Sequence, residues 1–357
     1  MKAYHTTLYR YSIPFREPVT VKGCQVLQRD GIILALKNRE ENQTAYGEIA
    51  PLPGLHKESL QAAEAQLVEV LSKRELTNSV TLQEKLYPSV RSGLEMAMIN
   101  LDNAIPGACS SFFPSVPAAK YVPVNALLFG DTPLIMQRAE EYLTLGYRTF
   151  KLKITGSNIE TAIRSIGALH RTFGNRIELR LDANQSFSID EAIRFAGSIP
   201  RESIAYIEEP LKEPELIGEF HAKTALRSAL DETLWQKPEL LRQLPANSLR
   251  ALILKPNRLG GIAITMQFAK YASENNLIAV FSSAFESGIS LSFYTWLAAS
   301  ACMKPAACGL DTYRYLQYDL LETPFGTENG LLDASRLYRN GQKVDQRALQ
   351  RTSLWTL

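Results

Sequence analysis

From about Tyr121 onward, short apolar runs alternate with helix-like stretches at an even spacing, and this alternation limits the available folds more than any other feature. The runs cover residues 122–128, 149–154, 177–183, 204–208, 228–231, 251–255, 279–283 and 307–311. Helical periodicity fills intervals such as 132–145, 158–173, 189–198 and 262–274. Parallel strands need a crossover of a dozen or more residues, usually a helix, and the intervals are long enough to hold one. Eight such units favour a closed α/β barrel over an open doubly wound sheet. No Gly-x-Gly-x-x-Gly follows a strand, which counts against dinucleotide binding. The span is short for the roughly 250 residues typical of such barrels, so tight loops or a missing last helix are expected.

The first 115 residues have a different pattern. Residues 4–13, 25–36 and 44–48 read as antiparallel strands, with Arg29-Asp30-Gly31 as a turn, and helical pattern follows over 57–72 and 92–105. The Pro-rich stretch Phe113-Pro114-Ser115-Val116-Pro117 reads as a linker. The expected organisation is an α+β domain over residues 1–115 and a barrel over 120–311. A C-terminal segment over 312–357 is expected to return to the first domain.

A net charge of +2 gives no argument for nucleic acid or membrane as partner, and no stretch reaches the roughly 20 apolar residues of a membrane span. Met1 to His5 lacks the apolar core of a signal peptide. Cys24, Cys109, Cys302 and Cys308 form no Cys-x-x-Cys pair, which fits reduced thiols and a cytoplasmic location. His5, His56, His170 and His221 are too scattered for a His-based zinc site. The oligomeric state stays open.

Five ordered segments place ionisable groups at the ends of apolar runs: Phe150-Lys151-Leu152-Lys153, Leu181-Asp182-Ala183-Asn184, Ile207-Glu208-Glu209-Pro210, Leu230-Asp231-Glu232 and Leu254-Lys255-Pro256. Strand alternation puts Lys151 with Lys153 on one face, and Arg180 with Asp182 and Asn184 on another. Burying such charges is costly without partners, and a metal with oxygen ligands plus a substrate would supply them. Asp182, Glu208 and Asp231 come from three consecutive strands, and all-oxygen ligation favours Mg²⁺ or Mn²⁺ over zinc. Lys153 and Lys255 flank this set as proton-transfer groups. Nearby cations, Lys151 and the metal, are expected to lower the pKa that a lysine base needs lowered.

This ordered set resembles the enolase superfamily, muconate-lactonising branch. The resemblance covers almost the whole chain and implies a modified barrel, (β/α)7β, with an N-terminal α+β capping domain. It implies Asp182, Glu208 and Asp231 as metal ligands, with Glu208 rather than Glu209 in the Glu-Glu-Pro element. Lys153 is then the base and Lys255 its counterpart across the substrate. Gly47-Glu48-Ile49-Ala50-Pro51-Leu52-Pro53-Gly54 resembles the capping loop of this branch, so Pro53 and Gly54 are expected at the substrate. Phe281-Ser282-Ser283-Ala284-Phe285-Glu286-Ser287-Gly288 is similar to the Ser-Ser-x-x-Glu-Ser element of the o-succinylbenzoate synthase family. That similarity implies a Mg²⁺-dependent lyase acting on a small carboxylate, with Ser282, Ser283 and Ser287 near the substrate.

Plainer readings stand beside these. Asp182 or Asp231 alone would read as a turn or helix cap. Lys151 reads as charge balance, Asn184 as an orienting group, and Arg180 as either a substrate contact or a carboxylate partner. Gly260-Gly261 reads as a tight strand-to-helix turn rather than a phosphate loop. Leu52 and Leu55 either touch substrate or pack the domain interface. Glu209 and Glu232 are expected to point away from the metal as salt-bridge partners. N-acylamino acid racemase, dipeptide epimerase and a catalytically silent metal-binding barrel remain as alternatives.

Overall fold

The computed structural model describes residues 4–38, 43–72, 86–104, 117–154 and 156–356. Cys109 and residues 113–116 of the expected linker lie outside them. β1 (Tyr4–Val21), β2 (Cys24–Asn38) and β3 (Thr44–Ile49) form an antiparallel sheet, covered on one face by the helices Leu60–Ser72 and Pro88–Ala104. β1 and β2 reverse at Lys22-Gly23, both in the left-handed region at φ 45° and 82°. The turn expected at Arg29-Asp30-Gly31 is absent, and these residues sit inside β2. Gly31 lies opposite Tyr11, and a Cβ there would fall within the Tyr11 ring. This glycine makes room for an aromatic side chain across the strand pair rather than bending the chain.

The second body is a parallel barrel. β4 (Tyr121–Pro123) and β5 (Asn125–Leu128) occupy the single first strand expected from sequence. β6 (Thr149–Lys153), β7 (Glu178–Asp182), β8 (Ile204–Glu208), β9 (Ser228–Leu230), β10 (Leu249–Leu254) and β11 (Ile278–Phe281) follow. β5 to β11 form one seven-stranded sheet in sequential order. Its two edges meet through the segment expected as the eighth strand. Cys308 bridges Val124 on one side and Gly309 bridges Ser282 on the other, both in parallel sense. Asn125 N donates to Cys308 O at 3.0 Å and Gly309 N to Phe281 O at 2.8 Å, so the barrel closes.

β12 (Leu331–Asp333) pairs antiparallel with β4, and β13 (Gln350–Thr356) pairs antiparallel with β1, carrying the chain back to the N-terminal sheet. The helix Gly288–Ala301 is buried almost all round, which a sequence of apolar and small polar residues without a charge allows. Among the described residues no helix is long and apolar enough to cross a membrane.

The two bodies are joined by a carboxylate. Glu95, on the helix Pro88–Ala104, accepts Ile262 N at 2.5 Å and Ala263 N at 3.0 Å, the first amides of the helix Ile262–Glu274. Gly261, at φ 109°, leaves the space that this carboxylate fills. The Gly260-Gly261 pair is therefore a turn whose helix end is already capped from the other domain. Glu95→Ala is expected to lower unfolding stability by about 1–2 kcal/mol, the cost of a lost cap. Urea unfolding of the two proteins checks this; equal midpoints would contradict it.

Candidate active site

Strand register brings the ionisable ends together. Lys153 lies beside Asp182 and Asp182 beside Glu208 in the β6–β7–β8 ladder, while Asp231 follows β9 directly. Asp182, Glu208 and Asp231 are all fully buried. Lys151 Nζ reaches Glu208 Oε1 at 2.7 Å and Asp182 Oδ2 at 2.9 Å. Lys153 Nζ donates to Asp182 Oδ2 and to Asn184 Oδ1, each at 2.6 Å. Lys255 Nζ, four strands away from β6, donates to Asp231 Oδ2. Three lysines and three carboxylates thus neutralise one another at the C-terminal mouth of the barrel.

The balance is uneven among the carboxylates. Burial pushes the Asp182 carboxyl up, but Lys151 and Lys153 outweigh it and hold that carboxyl well below the usual range. Burial, then the charge of Asp182, pushes Glu208 up. Asp231 is also raised, chiefly by burial and in spite of Lys255. Burial works to lower the pKa of Lys255, yet Asp231 and Glu232 outweigh it and raise the value. Asp231, which accepts from this ammonium, and the nearby Glu232 charge set that direction in the chain alone. Lys151 is raised for the same reason, with Asp182 and Glu208 overcoming burial.

The donor set fits a hard divalent cation. Glu208 Oε2, Asp231 Oδ1 and Glu232 Oε2 are buried oxygens without a hydrogen-bond partner. Among the described residues no three carboxylate, imidazole or thiol groups are already drawn into a cation cage. Here Lys151, Lys153 and Lys255 engage Asp182 Oδ2, Glu208 Oε1 and Asp231 Oδ2, while Asn184 donates to Asp182 Oδ1 and Glu232 Oε1.

A cavity of about 570 Å³ opens above these groups, with Lys153, Lys255, Asn184 and Glu232 at its floor. Leu127, Phe129, Ser283, Ala284, Phe285 and Tyr315 line it from the barrel side, and Leu52, Leu55 and the β1–β2 hairpin tip, residues 17–22, close it from the N-terminal side. Asn184, Glu209 and Phe285 adopt left-handed backbone at φ 43°, 42° and 62°. Such conformations in non-glycine residues cost about 1–3 kcal/mol each and gather at functional sites.

The expected site residues separate into those at the cavity and those beneath or outside it. Ser283 lines the cavity and contacts Thr312 Oγ1 at 2.7 Å. Ser282 is buried against Gly309 O at 3.4 Å and is not part of the lining. Ser287 is fully buried and outside the lining: its side chain caps the helix Gly288–Ala301 and donates to Glu48 Oε2 at 2.8 Å. Pro53 and Gly54 are exposed and outside the lining, whereas Leu52 and Leu55 face in. The turn explains this, since Leu55 N donates back to Leu52 O at 3.1 Å and brings those two side chains to one side. Arg180 lies deep in the barrel, donating to Glu178 Oε1 at 2.8 Å and Ala307 O at 2.6 Å, away from the cavity.

Asn184 orients both neighbours, accepting from Lys153 and donating to Glu232 Oε1 at 3.1 Å. Glu209 is no salt-bridge partner; it accepts Asp231 N and Thr233 N, each at 2.7 Å, and shapes the turn after β9. Glu232 turns toward the cavity because β9 ends at Leu230 and Glu232 is already helical at φ −57°, ψ −38°, so strand alternation no longer applies.

Sequence reasoning passed over the hairpin tip, Phe129, Tyr315 and His56. His56 Nδ1 accepts Leu52 N at 2.9 Å and its Nε2 lies 3.1 Å from Asn257 O, linking the loop at residues 50–55 to the segment after Lys255. Burial first, then Arg258 and Arg29, push its pKa down to about 3. An unfolded histidine titrates near 6.5. Between these values only the unfolded chain takes up the proton, so stability falls as pH drops below 6.5. The loss reaches about 2 kcal/mol by pH 5. Comparing urea unfolding of the native chain and His56→Gln at pH 7 and pH 5 isolates this component. An equal pH dependence of the two would contradict it.

Comparison with known proteins agrees with this geometry. Residues 135–345 match the enolase C-terminal domain-like family, and residues 3–101 match the MenC N-terminal domain. Protein PHYLLO, chloroplastic, of Arabidopsis thaliana is 29% identical over 402 residues, covering 97% of this chain and 23% of that protein, so the chain spans less than a quarter of it. The o-succinylbenzoate synthase of Pectobacterium atrosepticum is 30% identical over 322 residues, covering 88% of this chain and 92% of that protein. Two solved structures share the fold. One is a member of the enolase superfamily from Roseovarius nubinhibens complexed with magnesium, at TM-score 0.82 and 19% identity over 100% of both chains. The other is the L-Ala-D/L-Glu epimerase of Bacillus subtilis, at TM-score 0.80 and 20% identity over 93% of this chain and 96% of that one. With strand-end carboxylates, flanking lysines and both family matches in place, the chain belongs to the enolase superfamily.

Proposed function

We propose that this enzyme is a Mg²⁺-dependent lyase of the o-succinylbenzoate synthase type. It would convert 2-succinyl-6-hydroxy-2,4-cyclohexadiene-1-carboxylate to o-succinylbenzoate in menaquinone biosynthesis. The observation that carries the reading is the pair Lys153 and Lys255 on one cavity floor, flanking three buried carboxylates. The synthase relative, matched over most of both chains, supports this substrate. Residues 1–115 serve as the capping domain, 120–311 as the catalytic barrel, and 312–357 as the return to the cap.

Lys153 takes the proton from the carbon beside the ring carboxylate. It then gives that proton to the departing hydroxyl, so that water leaves and the ring becomes aromatic. The Lys255 ammonium lies on the other side of the ring and offsets negative charge as it develops there. Asn184 orients Lys153, and Lys151 keeps Asp182 and Glu208 compensated. Asp182, Glu208 and Asp231 would hold Mg²⁺, or Mn²⁺ as a substitute, which would supply positive charge to offset the substrate carboxylate.

A racemase or epimerase is the competing reading, since paired lysines suit proton removal and return on opposite faces. Dipeptide epimerases carry Asp-x-Asp on strand eight, whereas here Asp311 is followed by Thr312 and Tyr313. The Asp311 carboxylate is also engaged, accepting Tyr147 Oη at 2.7 Å and Arg314 Nε at 3.0 Å. That leaves it poorly placed to hold a substrate ammonium. The deciding experiment compares dehydration of the cyclohexadiene with deuterium uptake from solvent into N-succinylamino acids and dipeptides. Faster dehydration supports the lyase; exchange without dehydration would replace it with an isomerase.

A further inference from the structure

We propose that Arg29 is a positioning residue for substrate binding, one buried guanidinium that ties the loop at residues 50–55 to the loop after β11 and keeps the cavity wall preformed. The inference rests on the reading of this cavity as the substrate site. Arg29 is 1% exposed, and among the described residues no carboxylate lies within ion-pair distance of it, a rare setting for an arginine. Its Nη2 donates to Ala50 O, its Nη1 to Pro51 O at 3.0 Å and to Asp30 O at 3.0 Å, and its Nε to Phe285 O at 3.1 Å. Ala50 and Pro51 lead directly into Leu52, and both Leu52 and Phe285 line the cavity. One planar fork therefore holds two cavity-lining segments that are more than 200 residues apart in sequence.

Phe285 makes this tie consequential. It has a left-handed backbone, a conformation that persists only where the surroundings over-determine it. Its carbonyl is held by Arg29, and its ring packs edge-on against Phe15 at 5.4 Å and Tyr315 at 5.7 Å. Phe15 leads toward the hairpin tip, and Tyr315 is itself a cavity residue. Releasing the Phe285 carbonyl would loosen the aromatic wall while leaving Lys153, Lys255 and the carboxylates in place. Lysine is no substitute, because a compact ammonium cannot match the fixed fork that spans these carbonyls.

The test uses Arg29→Lys in the full chain with Mg²⁺, read by steady-state kinetics and by amide hydrogen exchange. The expected result is a KM about tenfold higher with kcat within about threefold, the mark of lost binding rather than lost chemistry. Residues 50–55 and 284–287 should exchange faster together, while the helix Ile262–Glu274 keeps its protection. If KM and exchange both stay as in the native chain, or if exchange rises throughout the N-terminal domain with kcat falling, the proposal is wrong. Should the lysine variant fail to fold, Arg29→Gln, which keeps N–H donors without burying a charge, takes its place. If the native chain itself does not dehydrate the cyclohexadiene, the function reading has failed, and the exchange pattern alone then decides the role of Arg29.

Discussion

Alanine in place of Lys153 is expected to lower kcat for dehydration by about 10²- to 10⁴-fold, the range that a positioned proton-transfer group contributes. The side chain is 37% exposed and meets Asp182 and Asn184 at the cavity floor, so its loss should cost little stability. Stopped-flow turnover and thermal unfolding on one preparation separate the two effects. Unchanged turnover in a folded Lys153→Ala protein would remove Lys153 as the base. Arginine at this position keeps the charge but cannot give up a proton at neutral pH, so Lys153→Arg should be as slow as alanine.

The second large effect concerns stability. Lys151 supplies the hydrogen bond to Glu208 Oε1, while Glu208 Oε2 has no partner. Lys151→Met would leave Glu208 buried without compensation and Asp182 with Lys153 alone. In the presence of chelator this should cost about 3–5 kcal/mol, as breaking a buried ion pair from one side does. Adding Glu208→Gln should recover part of the loss, because the orphaned charge is then gone. Urea unfolding of the native chain, the single variant and the double variant checks this. A single variant as stable as the native chain would mean that Lys151 is not what compensates these carboxylates.

The barrel and its ordered ionisable ends were legible because strand alternation fixes which side chains share a face, and Lys151, Lys153, Asp182 and Glu208 all sit within regular strands. The reading failed where regular structure stops. Glu232 was assigned outward by an alternation that had ended two residues earlier, at Leu230. Arg29-Asp30-Gly31 looked like a turn by composition, yet the arginine serves distant carbonyls and the glycine makes room for Tyr11. Ser287 matched a substrate element in pattern, but its place at a helix start next to Glu48 makes it a cap. The hairpin tip reaches the cavity through the packing of one domain on the other, which no local pattern encodes.

The most direct measurement is formation of the aromatic product from the cyclohexadiene substrate, followed by absorbance with Mg²⁺ and again after chelation. The account predicts turnover with Mg²⁺ that stops with chelator and returns on adding Mg²⁺ or Mn²⁺. No product from a protein shown by calorimetry to bind Mg²⁺ would contradict the proposed lyase while leaving the fold and the metal site standing.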